Sequence, residues 1–90
     1  MLSAPNFRLD GKRALVTGGS RGIGFASGLA LAQAGAAVTL VARDLIKLEL
    51  AAEEFSQLGF NCAILQLDVT DSVAVRQVIQ QAEPFQILVN

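Results

Sequence analysis

Ala14-Leu15-Val16-Thr17-Gly18-Gly19-Ser20-Arg21-Gly22-Ile23-Gly24 joins an apolar, β-type run to a glycine-rich turn, and a helical pattern begins as the turn ends. A strand that feeds a helix in this way gathers unpaired N–H groups and the positive end of the helix dipole at one point, which favours a phosphate. Gly18 suits the tight turn leaving the strand, and Gly22 removes a Cβ where backbone must approach a pyrophosphate. Gly24 lets the helix press against the sheet. An ordinary strand-to-helix turn is the alternative for these residues. A P-loop is excluded, because lysine and then Ser or Thr must follow its last glycine, and Phe25-Ala26 stands there. An acidic residue before the glycines, expected of a methyltransferase-like loop, is replaced by Val16-Thr17.

Outward from this turn the same unit recurs. Ala14–Thr17, Val38–Ala42, Ala63–Leu67 and Ile87–Asn90 are short apolar runs starting about every 24 residues, the pace of strand–helix–strand units and not of hairpins. Between them, helices are predicted from about Gly22 to Ala34, from about Leu45 to Leu58, and from Asp71 or Ser72 to Pro84. Leu48, Ala51, Ala52, Phe55 and Leu58 share one face of the second, with Asp44 to cap its start and Gly59 its end. Val75, Val78, Ile79 and Ala82 share a face of the third. In the first, Gly28 costs about 1 kcal/mol against alanine, so close packing is expected to compensate, and Gly35 suits its C-terminal cap. Right-handed crossovers make the sheet parallel, in the order 3-2-1-4. The fold class is therefore α/β: part of a Rossmann-like, doubly wound parallel sheet with flanking helices, whose ligand sits at the carboxyl ends of the strands.

Composition narrows the rest. Ninety residues hold at most one small domain. A formal net charge of −1 without a basic patch excludes a nucleic-acid partner. The opening Met1-Leu2-Ser3-Ala4-Pro5-Asn6 lacks the features of a signal peptide, and every apolar run is far shorter than a membrane span. A cytoplasmic protein with no membrane partner is the expectation. Cys62 is the only cysteine and reads as a small apolar strand residue; histidine and tyrosine are absent. No metal site and no His-based triad is therefore expected. The hydrophobic fraction, 52%, is high for so short a chain. It predicts that residues 1–90 form the dinucleotide-binding half of a larger Rossmann-like domain.

The glycine spacing after Thr17, the Leu67-Asp68-Val69-Thr70-Asp71 segment and the closing Leu88-Val89-Asn90 together resemble the short-chain dehydrogenase/reductase family in its short form. The extended, epimerase-like branch would have glycine where Arg21 stands. The resemblance runs from Leu9-Asp10-Gly11-Lys12 to Asn90. It implies that Gly18, Ser20, Arg21, Gly22, Ile23 and Gly24 line the cofactor. Asp68 would accept from the adenine amino group with Val69 beside the ring, and Asn90 would lie against the adenosine ribose side and tie the central strands together. A second reading of Asp68 is a turn residue ahead of the third helix.

Arg43 ends the second strand where dinucleotide folds that take NAD place Asp or Glu. Its planar fork suits a 2′-phosphate instead, and Arg21 resembles the second basic residue of members that prefer NADP. NADP is thus the expected cofactor, with Ser20 as a further hydroxyl donor. The alternative makes both arginines solvated surface groups, with Asp44 serving NAD. The family's serine, tyrosine and lysine, in Y-x-x-x-K spacing, have no counterpart in a chain without tyrosine; no catalytic residue is assigned. The resemblance implies, for the complete protein, hydride transfer between nicotinamide and a small carbonyl or alcohol substrate in a homodimer or homotetramer. The alternatives are a non-catalytic nucleotide-binding module and a half-domain that docks on a partner.

Overall fold

β1 (Arg13–Thr17) is flanked on both sides by other strands, which is why its apolar centre is the most deeply buried run of the chain: Ala14 and Val16 are fully covered and Leu15 nearly so. The structure, a computed structural model, describes residues 8–20 and 22–90. From β1 the chain continues through α1 (Gly22–Gln33), β2 (Ala37–Ala42), α2 (Leu45–Gln57), β3 (Cys62–Gln66), α3 (Ser72–Gln81) and β4 (Ile87–Val89). The strands form one parallel sheet in the order β3-β2-β1-β4. Each expected strand and helix is present, with ends within a residue or so except at α3, which stops at Gln81 ahead of Pro84.

α1 and α2 share one face of the sheet and one core. Ala14, Val16, Val38 and Leu40 from the strands meet Ala32 from α1 and Leu48, Ala51 and Phe55 from α2. Phe55 is fully buried and meets the ring of Phe25 edge to face, with centroids 5.2 Å apart. Gly28 is the close approach that its sequence position implied: a Cβ there would lie 3.0 Å from Leu40 Cδ2 and 3.5 Å from Phe55 Cζ. Leu58 departs from expectation. It is the C-cap of α2, one step beyond the helical stripe, and is 56% exposed.

α3 departs further, since none of its residues is buried and none joins the core. The strand order explains this. Moving from β1 to β3 the chain steps one way across the sheet, and the crossover from β3 to β4 steps back. A right-handed connection then puts α3 on the opposite face. On that face Leu88, Val73 and Ile79 remain largely exposed.

β4 is pinned beside β1 by polar contacts at its entrance. Gln86 Oε1 accepts from the Arg13 amide at 2.7 Å, the Gln86 amide donates to the Arg13 carbonyl at 2.9 Å, and the Arg13 guanidinium lies 4.3 Å over the Phe85 ring while donating to the Glu83 carbonyl. This register carries Asn90 to the carboxyl edge of β1.

Truncating Phe55 should expose how far the core depends on one ring. In the full-length protein, Phe55→Ala is expected to cost about 3–5 kcal/mol in chemical denaturation, whereas Leu58→Ala should stay within about 0.5 kcal/mol. Equal effects would contradict the burial described for the two positions.

Candidate functional site at the carboxyl edge

The turn after β1 folds back on the first turn of α1. Gly18 takes a left-handed φ of 68°, open to glycine without strain, and the Gly19 amide bonds the Val41 carbonyl at 3.2 Å. Gly24 has the tightest backbone surroundings of the glycines. A Cβ there would fall 2.2 Å from the Gly18 carbonyl oxygen, so no other residue fits without moving the loop. The contact that Gly24 permits is thus with the loop backbone. Pressing of α1 against the sheet falls instead to Gly28, one turn later. Arg21 lies outside the described residues.

Beside this loop the β2–α2 turn supplies charge. Arg43 projects into solvent at the end of β2, with its backbone carbonyl held by Gln66 Nε2 at 3.0 Å. Asp44, the candidate for a ribose hydroxyl, is otherwise engaged: its Oδ1 accepts from the amides of Ile46 at 3.0 Å and Lys47 at 3.2 Å and caps α2. Gly18, Ser20, Arg43 and Val69 surround one cavity of about 290 Å³, closed by Ala42, Asp44, Lys47 and Leu67. Five residues singled out by sequence, with Asp44 of the NAD alternative among them, are therefore brought together there. Gly22, Ile23, Gly24 and Asn90 do not line it. Ile23 is 87% exposed on the first turn of α1, an unusual setting for a large aliphatic side chain.

Asp68 performs the turn role. Its Oδ1 accepts from the Thr70 hydroxyl at 2.6 Å and the Thr70 amide at 2.9 Å, while Oδ2 faces Arg43 Nε at 3.9 Å. The Thr70 hydroxyl and amide, with a lesser pull from Arg43, hold this carboxyl below the usual carboxylate range. Thr17 Oγ1 lies 3.1 Å from both the Val89 carbonyl oxygen and Asn90 Oδ1, and its one proton serves either. Asn90 thereby links β4 to β1, the structural half of its expected role. Gln66 and Lys47 were not legible as site residues. Gln66 sits in an alternating strand pattern, and Lys47 resembles any solvated helix lysine.

The Asp68 turn gives a pH dependence with a definite sign. A carboxyl held low in the folded state contributes stability above its unfolded pKa, about 3.9, and loses it as pH falls through the folded value. Carbon-13 titration of the Asp68 side chain should therefore show a midpoint below that of an ordinary aspartate, and Thr70→Val should raise it. An ordinary midpoint in the unsubstituted protein would contradict the turn.

Comparison with known proteins places this edge in a wider group. Versicolorin reductase stcU of Emericella nidulans is 43% identical over 83 residues, covering 91% of this chain and 31% of that protein. The 2-keto-3-deoxy-D-gluconate dehydrogenase of Streptococcus agalactiae superposes with a TM-score of 0.81 at 35% identity, over 94% of this chain and 34% of that one. The RhlG/NADP active-site complex of Pseudomonas aeruginosa gives 0.83 at 36% identity, over 98% and 37%. The chain spans about a third of the length of the curated relatives it matches. No helix among the described residues is long and apolar enough to cross a membrane. The short chain dehydrogenase family model matches residues 12–90, and with the parallel 3-2-1-4 sheet and its glycine-lined carboxyl edge, the chain belongs to that family.

Proposed function

We propose that this chain is the NADP(H)-binding part of a short-chain oxidoreductase, residues 1–90 being the dinucleotide-binding half of one Rossmann-like domain. The observation that carries the reading is the pairing of Arg43 with Gly18 and Ser20 around one cavity, while Asp44, also on its wall, has Oδ1 bonded to the α2 amides. A carboxylate aimed into that space would favour a ribose hydroxyl and repel a phosphate. A guanidinium there favours the phosphate. The NADP complex among the similar structures supports the same choice.

The residues present fit such a ligand. Gly18 and Gly22 have open space where a Cβ would stand, which leaves the loop backbone accessible to a pyrophosphate, and Ile23 and Gly24 continue the helical turn beside it. Ser20 offers a hydroxyl and Arg43 a forked cation for the 2′-phosphate, with Arg21 assigned beside them from its place in the motif. Asp68 Oδ2, the oxygen that Thr70 leaves, is assigned to the adenine amino group, with Val69 against the ring. Asn90 is assigned to the ribose side. A bound dinucleotide supplies or accepts the hydride at its nicotinamide. Proton transfer to or from a small carbonyl or alcohol substrate requires groups this chain does not contain, since it has no tyrosine and no histidine. A homodimeric or homotetrameric, cytoplasmic enzyme belongs to the same reading.

Equilibrium binding of NADP and NAD to the full-length protein tests it. The unsubstituted protein should prefer NADP, and Arg43→Asp should lower the NADP-to-NAD affinity ratio by at least about tenfold, the loss of one charge-assisted contact to phosphate. An unchanged ratio would remove Arg43 from the phosphate site.

A further inference from the structure

We infer that Lys47 is a further cation for the 2′-phosphate, beside Arg43 and the Arg21 assigned from the motif, and contributes to cofactor choice, an inference that rests on the dinucleotide reading above. Three observations meet at this residue. Lys47 lines the same cavity as Gly18, Ser20 and Arg43. It is exposed, and among the described residues no carboxylate lies within ion-pair distance of it, whereas Arg43 already faces Asp68 at 3.9 Å. It also stands in the first turn of α2, three residues after the Asp44 N-cap, where the helix dipole disfavours a cation and the turn itself carries no acidic residue.

Geometry gives that unfavourable placement a use. Side chains of an α-helix lean toward its N-terminus, so a lysine at this position is directed toward the carboxyl edge of the sheet and the cavity. Asp44 keeps its charge but is held by the bonds of its Oδ1 to the backbone amides of Ile46 and Lys47, and among the described residues it forms no ion pair with the Lys47 ammonium. Of the two cations on the cavity wall, Arg43 is partly offset by Asp68. Lys47 is the one with its charge uncommitted, and a phosphate dianion is the ligand group that calls for both. A flexible ammonium adds charge without demanding bidentate geometry, which complements the planar fork of Arg43.

The test compares NADP and NAD binding to the full-length protein carrying Lys47→Gln or Lys47→Arg, over a range of ionic strength. Lys47→Gln should lower the NADP-to-NAD affinity ratio about three- to fivefold, as an exposed charge contact gives. It should also flatten the salt dependence of that ratio, and Lys47→Arg should restore both. An unsubstituted protein that prefers NADP, with the ratio intact in Lys47→Gln, would overturn the role of Lys47 and leave the NADP reading standing. An unsubstituted protein without any preference for NADP would overturn both. A matching loss of NADP and NAD affinity in Lys47→Gln would also overturn the inference, since it would mark a contact shared by the two cofactors.

Discussion

The close approach of Gly24 to the Gly18 carbonyl is the contact on which the carboxyl edge depends. Because Gly24 has no Cβ, the turn after β1 lies directly against the first turn of α1. A methyl group at Gly24 would sit 2.2 Å from that oxygen and drive the two apart. Because β1 is central in the sheet, a displaced loop would also lose the Gly19–Val41 bond that fastens it to β2. Gly18 and Ser20 of this same loop form the cavity wall together with Arg43.

Charge is then distributed around the edge by bonds that fix its carboxylates in place. Each nearby carboxylate is occupied by backbone or hydroxyl donors: Asp44 by the start of α2, Asp68 by Thr70, and Asp71 by the Ala74 amide at the start of α3. Occupied carboxylates keep their negative charge but are fixed in position, so the field at the cavity is set by geometry and not only by count. Gln66 completes the arrangement by holding the Arg43 carbonyl, which fixes the backbone from which the guanidinium extends.

The fold was legible because its determinants are local or periodic. Four apolar runs at regular spacing, two Asp caps and two glycines at helix ends specified the elements, and crossover handedness specified their order. Gly18, Ser20, Arg43 and Val69 could be gathered in advance because the carboxyl edge of a doubly wound sheet is a fixed location. What stayed hidden depended on distances between separate segments. The role of Gly24 is set by where Gly18 lies, and the engagement of Asp44 by how α2 begins. The apolar stripe of α3 read as a core face, yet amphipathic periodicity says which side is apolar and nothing about what covers it. Lys47 has no motif, and only its place on the cavity wall separates it from the other exposed charges of α2.

The central claim, that a nicotinamide dinucleotide seats on the carboxyl edge built around Gly18 and Gly24, is tested most directly by backbone hydrogen–deuterium exchange of the full-length protein with and without NADPH. The expected result is slowed exchange in peptides covering Thr17–Gly24, the Arg43–Lys47 turn and the Asp68–Thr70 turn, and none at the opposite edge of the sheet around Ala37 and Asn61. Protection confined to that opposite edge, or absent from the carboxyl edge at saturating NADPH, would contradict it.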